Sequence, residues 1–505
     1  MTFTVRAAGR TLAVGSGARL SQVLGAGDVG VETPCGGRGY CRKCMVKVVA
    51  GAAPITAADR EQLGAGELEA GFRLACQLVV ASDLEVAVMP AAVADTKKAA
   101  MGRLSGPVEI DPWAPLLPAG RSVGFALDVG TTSLAGALLD LRTGEELAAG
   151  VLSNPQALHG ADLMSRLSYA CRGPGEAREL QTMVTGAARQ MLERLRSKAG
   201  VAPHEVVAAT LVGNTAMHHL FLGLDVAGLA AAPYTPAVTD GQMARLPGLP
   251  PLYALPSIAG FVGADAVAAG LAAGLDQGDA TVLLVDIGTN GEMLLRHKGT
   301  IYACSAPAGP AFEGGEISQG MRAGPGAVEA VTFADGRLHA TVIPGAPPRG
   351  ICGSGLLDAT AALLAAGALD PTGRLMTTVA LAPGVGLTQK DIRALQLAKG
   401  AIRSGIDLLL RVAEVEAGEL DEILLAGAFG NYLRRESAIA IGLLPPVAPG
   451  KVRPIGNAAA AGAKLALLSR GARERAGALA RGAGHVDLAT HPDFEEIFIG
   501  ALEFR

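Results

Sequence analysis

Several things are missing from this sequence, and each absence narrows what the protein does. Apolar runs such as Ala359 to Leu369 stop well short of the ~20 residues that a membrane-spanning helix needs, so no transmembrane segment and no membrane partner is expected. The 43 Lys and Arg are interspersed with 47 Asp and Glu for a formal net charge of −4. No basic block exists to neutralise phosphates, and no nucleic-acid partner is expected. The first ten residues, MTFTVRAAGR, alternate like a strand and lack the charged-then-apolar layout of a secretory signal, which predicts a cytoplasmic protein. There is no G-x4-G-K-[ST] loop and no G-x-G-x-x-G opening a helix after a first strand, so P-loop and Rossmann readings lose ground. Seven cysteines are too few and too uneven for a disulfide framework. Four are clustered, which points to a metal in a reducing compartment. Cys171, Cys304 and Cys352 are scattered and are read as small buried hydrophobes.

The 505 residues, half of them hydrophobic, are enough for two to four domains. Residues 1 to 90 show short alternating strands (Phe3 to Ala7, Met45 to Val49, Leu84 to Val88) and a helix from Leu20 to Ala26, a small α+β domain. Residues 91 to 120 are broken by Pro and Gly, contain the single tryptophan, Trp113, and are read as a linker. From 121 to 505, strand-like runs (Val123 to Asp128, Thr281 to Asp286, Glu422 to Ala426) alternate with Ala/Leu-rich helical stretches, which predicts a large α/β body.

Cys35, Cys41 and Cys44 form a C-x5-C-x2-C run in CGGRGYCRKC, and Cys76 follows 32 positions beyond Cys44. Four thiolates suit a [2Fe–2S] cluster, and the spacing is one residue from the plant-type C-x4-C-x2-C pattern. Gly36, Gly37 and Gly39 let the loop take positive φ and bring N–H groups toward cluster sulfurs. Structural zinc is the alternative, although zinc sites usually pair two C-x2-C knuckles. The segment resembles ferredoxins of the C-x5-C-x2-C variety, which implies a β-grasp fold, a [2Fe–2S] cofactor and one-electron transfer.

Two other segments repeat one pattern 158 residues apart. Asp128-Val-Gly130-Thr131-Thr132-Ser and Asp286-Ile-Gly288-Thr289-Asn290-Gly-Glu292 each deliver an acid at the end of a buried strand, followed by a glycine turn whose N–H and hydroxyl groups converge. Convergent donors suit phosphate oxygens, and the acids suit Mg2+ or its waters. One such turn is weak evidence; two suggest related halves facing one cleft. Leu424-Leu-Ala-Gly427-Ala428-Phe-Gly430-Asn is a buried strand entering a glycine turn that can approach a base or ribose.

The order of these motifs, with helices at GADAVAAGLAAG and GNAAAAGAKLAL between and after them, resembles the superfamily of actin, Hsp70, sugar kinases and acetate kinase over residues 123 to 470. It implies ATP held between two RNase H-like halves. Five phrases narrow the resemblance: SNPQALHGADLMSR at Ser153, LVGNTAMHHL at Leu211, SAPAGPAFEGGEISQGMRAGPGA at Ser305, GICGSGLLD at Gly350 and FEEIFIGALEF at Phe494. Together they resemble the ATP-dependent reductive activators of corrinoid proteins. That resemblance implies one-electron reduction of Co(II) to Co(I) in a cobalamin-dependent methyltransferase system. Its implied partners are a corrinoid methyltransferase protein and an upstream electron donor, and it allows a homodimer. It places Cys35, Cys41, Cys44 and Cys76 on the cluster, Asp128 and Asp286 on Mg2+ or water, and Thr131, Thr132, Thr289 and Asn290 on phosphates, with Glu292 orienting water. Glu313, Glu316 and Arg322 lie in a segment that approaches either nucleotide or corrinoid partner. His218 and His219 are read as packed or surface histidines. Little room separates the linker from Asp128 for the extra middle domain of longer members, and nothing cysteine-rich follows Cys352, unlike variants with C-terminal [4Fe–4S] clusters. The rival readings are an activator of a radical dehydratase, a small-molecule kinase with an appended ferredoxin, and an electron-transfer or redox-sensor module with a regulatory ATP-binding domain.

Overall fold

The computed structural model describes residues 2–504 except 27, 28, 30, 32–36, 40, 41, 43, 89–101, 103, 105–107, 161 and 431. Contacts group the chain into two compact units, residues 1–93 with 153–184, and residues 94–152 with 185–505.

In the first unit a five-stranded mixed sheet runs in the order Arg10–Gly15, Thr2–Ala7, Leu84–Val88, Met45–Ala50, Phe72–Leu74. Thr2–Ala7 pairs in parallel with Leu84–Val88, and the other pairings are antiparallel. Alternate residues Val5, Ala7, Val46, Val86 and Leu74 point to the core, where they meet Leu20 and Leu24 of the helix Leu20–Ala26. This is the α+β domain that the strand pattern predicted, in the β-grasp arrangement that the ferredoxin resemblance implied.

The same unit contains residues 153–184. Asn154 caps the turn Pro155–Leu158 by accepting from Gln156 N (3.0 Å), and buried Gln156 donates to Leu180 O (3.0 Å). Asp162 caps the helix Leu163–Ala170 through Ser165 N (2.8 Å), while fully buried Arg166 donates from Nε to Gly160 O (3.0 Å). Burial pulls the Arg166 guanidinium down to about 10. Cys171 is exposed at the end of this helix, against the expectation that it is buried; Cys304 and Cys352 are buried.

The second unit holds two six-stranded sheets, and four strands of each follow one topology. In the first, Val123–Val129 pairs antiparallel with Ser133–Asp140 and in parallel with Val206–Gly213, which pairs in parallel with Leu252–Ala254. In the second, Val282–Ile287 takes the same place between Gly291–His297 and Glu422–Ala426, followed by Val452–Gly456. The shared order explains the repeated Asp-x-Gly-Thr segment, because each copy ends the central strand of its sheet. Val282, Leu284 and Leu424 enter one core while Leu283, Val285 and Leu425 enter another, which is why these strands read as unbroken apolar runs.

Two Ala-rich helices, Ala264–Ala272 and Ala458–Leu468, belong to the first of these cores and pack together so closely that a Cβ at Gly462 would strike the Ala268 carbonyl oxygen. Gly462→Ala is therefore expected to destabilise this unit by about 1–3 kcal/mol, seen as a lower midpoint in thermal unfolding. An unchanged midpoint would mean that the helices separate without cost. Part of the segment read as a linker is fixed here too. Asp111 N donates to Leu468 O (2.9 Å), Arg470 N to Asp111 O (2.9 Å), and the Arg473 guanidinium lies over Trp113 and Tyr253 (5.3 and 4.1 Å to the ring centres).

Outside the two sheets lie the hairpin Ala327–Ala334 with Arg337–Val342, a small hairpin Val379–Ala382 with Val385–Leu387, and the long helix Gln389–Val412, which Thr388 and Asp391 cap reciprocally. Among the described residues no helix is long and apolar enough to cross a membrane.

Candidate functional site

The two glycine turns meet. Gly130 N closes the first by donating to Ser133 O (2.9 Å), and Gly288 N closes the second by donating to Asn290 O (3.1 Å). The Thr132 and Thr289 hydroxyl oxygens, 157 positions apart in sequence, lie 3.4 Å apart. Thr131, Thr132, Thr289 and the acids preceding them thus belong to one cleft within one unit.

Two helix caps hold the first turn. Asn214, N-cap of Thr215–Leu222, accepts from Met217 N (2.9 Å) and donates from Nδ2 to Thr131 Oγ1 (3.1 Å). Asn457, N-cap of Ala458–Leu468, accepts from Ala460 N (2.8 Å) and donates to Asp128 Oδ2 (2.9 Å). An Asn cap uses its oxygen for the helix and keeps its N–H2 free for a second partner, and both caps spend it on this loop. Sequence reasoning gave neither asparagine a role, although each stands in a Gly-Asn step between a strand and a helix. On the opposite side, Gly427 takes φ +84, and a Cβ there would lie 2.5 Å from Asp286 Oδ1. Only glycine lets the third loop approach that carboxylate.

Four carboxyl groups share the cleft. Asp286 faces Glu292 directly across the antiparallel ladder, so both leave the sheet on one face. Asp265, missed in the sequence, stands in the first turn of Ala264–Ala272. Withdrawal from water raises Asp128 to about 6, the Asn457 hydrogen bond opposing. Burial first, and then the Asp128 charge, raise Asp286 to about 7. Burial, then Asp128, raise Asp265 to about 7. Glu292 is held well above the usual range by burial and then by Asp265 and Asp286. Such a group holds its proton to higher pH than free carboxyls do, and a bound cation would favour its ionised form. Among the described residues no group of three or more His, Cys, Asp or Glu converges closely enough to hold a metal ion.

Proton linkage follows from these directions. Carboxyls raised from 3.8 to about 6 or 7 keep protons that the unfolded chain has lost, so the unliganded fold loses stability as pH rises from about 4 to about 7. A cation bound there replaces those protons. Mg-nucleotide binding is expected to release protons near pH 6 and to tighten toward pH 8, measured by titration calorimetry in two buffers of different ionisation enthalpy. Heats independent of the buffer would mean that these acids are already ionised.

Of the Gly-rich segment, Glu313 reaches the cleft, accepting from Thr289 Oγ1 (2.9 Å); Glu316 and Arg322 are exposed. His218 and His219 are buried on the helix Thr215–Leu222. His219 Nδ1 pairs with Thr215 O (2.8 Å) and its Nε2 accepts from Val238 N (3.3 Å), while burial lowers His218 to about 3. They are packed histidines.

In the other unit Cys44 and Cys76 are buried, 1% exposed each, in the ferredoxin-like core. Gly37 (φ +76) and Gly39 (φ +81) carry the loop past Cys76. Gln77 Nε2 donates to Gly37 O and lies 3.6 Å from Cys76 Sγ, and Arg19 donates to Cys76 O (2.8 Å). Two soft donors with a side-chain N–H aimed at one sulfur fit an iron–sulfur cluster. Cys35, Cys41 and Gly36 lie outside the described residues. Arg38, in the loop after Gly37, pairs with Asp162 (3.6 Å), an exposed pair worth at most about 1 kcal/mol.

Comparison with known proteins finds domains of both kinds. Residues 3–81 match the 2Fe-2S iron-sulfur cluster binding domain, 123–278 the RACo middle region, and 280–505 the C-terminal domain of RACo, the ASKHA domain. The chain is 34% identical over 412 residues to the corrinoid activation enzyme RamQ of Eubacterium limosum, covering 74% of this chain and 69% of the relative. The chain belongs to the corrinoid-activator family. It is also 26% identical over 431 residues to the [Co(II) methylated amine-specific corrinoid protein] reductase of Methanosarcina barkeri, covering 75% and 77% of the two chains. A solved structure of a reductive activator for corrinoid, iron-sulfur protein superposes with a TM-score of 0.71 at 28% identity, over 99% of this chain and 98% of the other. The chain thus joins a ferredoxin-type domain of the iron–sulfur-binding kind to an actin-like domain of the nucleotide-binding kind. What the family calls its middle region, 123–278, includes the six-stranded sheet carrying Asp128 and is not a segment lost before it.

Proposed function

We infer that this protein reductively reactivates a corrinoid protein of a cobalamin-dependent methyltransferase system, taking Co(II) to Co(I) with one electron in a step promoted by Mg-ATP. The observation that carries this reading is the meeting of two phosphate-type turns, with hydroxyls 3.4 Å apart, in a chain that also buries cluster-type cysteines. Cys35, Cys41, Cys44 and Cys76 would hold a [2Fe–2S] cluster, which would supply one-electron chemistry fed by an upstream donor.

The remaining work belongs to the nucleotide cleft. Plant-type clusters lie near about −400 mV, and each ~59 mV of shortfall costs a factor of ten in a one-electron equilibrium. Nucleotide offsets such a shortfall only by binding one conformation or one complex better than another. Asp128 and Asp286, kept partly protonated by burial, take up Mg2+ and its waters. Thr131, Thr132, Thr289 and Asn290 bind phosphates from both halves at once, so a bound nucleotide draws the halves together. Gly427, Ala428 and Gly430 present backbone to the nucleoside, and Glu292 orients water.

The test is anaerobic. Chemically reduced protein is mixed with a Co(II) corrinoid methyltransferase component, and Co(I) absorption is followed with and without Mg-ATP. ATP-dependent Co(I) is expected. Its absence across several corrinoid proteins, with the cluster spectrum intact, would favour the electron-transfer or sensor module instead.

A further inference from the structure

The segment from Gly309 to Gln319 touches the nucleotide cleft at one end and a surface hairpin at the other. At the cleft, Gly309 N donates to Thr289 O (2.9 Å) and Glu313 accepts the Thr289 hydroxyl (2.9 Å). Next to Glu313, Phe312 stacks on Phe429 of the third loop (ring centres 5.3 Å apart, planes at 27°), and Gly353 leaves the space that the pair occupies. The turn Ala311–Glu313 therefore contacts a phosphate loop and the nucleoside loop together. At the far end, Gln319 clamps the hairpin Val379–Ala382/Val385–Leu387, donating to Gly384 O (2.8 Å) and accepting from Gly386 N (2.7 Å). Ser318 N donates to Asp391 Oδ1 (2.6 Å), in the cap of the long helix. Between the ends the chain is too tightly folded to stretch. Gly315 N bonds Pro310 O (2.8 Å), Gly320 N bonds Ile317 O (3.0 Å), and Glu316 is held at φ +61, a conformation that a non-glycine residue adopts at a cost.

A threonine hydroxyl has one proton to give. A phosphate oxygen arriving at the second turn competes with the Glu313 carboxylate for that of Thr289, and the two anions repel each other. We propose that Glu313 is a positioning residue that reads nucleotide occupancy through the Thr289 hydroxyl, and that the strap 309–319 carries its displacement to the hairpin 379–387. A nucleotide shifts a conformation only where its interactions differ between two states, and the exchange of Thr289 between Glu313 and phosphate is such a difference. The proposal rests on the nucleotide-site reading above and deepens it, giving the cleft an output on the protein surface.

The test uses the full chain with its cluster, a non-hydrolysable ATP analogue with Mg2+, calorimetry for affinity and amide hydrogen exchange at residues 384–387. Glu313→Gln is expected to bind the analogue about tenfold tighter than wild type, the size of one screened like-charge repulsion, and to lose the effect of nucleotide on hairpin exchange. Gln319→Ala is expected to bind within about twofold of wild type and to lose the same effect. If wild type binds while Glu313→Gln binds equally or more weakly, the proposal falls and the nucleotide-site reading stands. Hairpin exchange that responds to nucleotide in both variants as in wild type overturns the strap. A wild-type protein that binds no nucleotide overturns the site reading and this proposal with it.

Discussion

Asp286→Ala is expected to lower ATP-promoted Co(I) formation about 10²–10³-fold, the cost of removing one preorganised electrostatic group from a reacting site, while the cluster spectrum stays that of wild type. The carboxylate ends the central strand of the second sheet, faces Glu292 across the ladder, and has Gly427 against it in place of any larger residue. Nothing else on that strand can replace it, since Ile287 is buried in the core. The same substitution should not weaken the unliganded fold at pH 8. Asp286 is raised to about 7 by burial and by Asp128, so above that pH its charge opposes folding, and removing it relieves Asp265 and Glu292 as well. A variant with an unchanged or raised melting temperature and a lost ATP response is the signature of a residue kept for function against stability. An undiminished ATP response would remove Asp286 from the site.

That trade-off also explains which parts of the molecule were legible in the sequence. Strands buried on both faces announce themselves as apolar runs. Glu422–Ala426 has the expected ends, and Val123–Val129 and Val282–Ile287 differ from expectation by one residue at one or both ends. The acids were visible because each breaks such a run two residues before a glycine. Asp265, Asn214 and Asn457 were not, because each begins a helix, where Asp and Asn are ordinary caps and first-turn residues. What makes them part of the site is that three helices begin beside the same turns, a tertiary fact with no local signature. Glu313, Glu316 and Arg322 were indistinguishable in a Gly-rich string because glycine removes the periodicity that says which side chains share a face. The fold separates them, with Glu313 on Thr289 and the other two exposed.

In the other unit, Cys76→Ser is expected to abolish most of the visible cluster absorption and with it Co(I) formation, while Mg-nucleotide affinity stays within about twofold of wild type, because compact units of one chain tolerate separate damage. Serine is close in shape to cysteine, so the apolar core around Val46, Leu74 and Leu78 should survive, but a hard alkoxide is a poor substitute for a soft thiolate on iron. Gln77 sharpens the test. Its Nε2 lies 3.6 Å from Cys76 Sγ and also holds Gly37 O, so it fixes the loop and donates toward one sulfur. Gln77→Leu is expected to keep the cluster and to lower its reduction potential, since a hydrogen bond to a ligand sulfur stabilises the more negative, reduced state. Cys41→Ser should behave like Cys76→Ser if the loop supplies the remaining ligands. An intact [2Fe–2S] spectrum in either cysteine variant would remove that residue from the ligand set, and a Gln77→Leu cluster with an unchanged potential would leave Gln77 with the loop alone to hold.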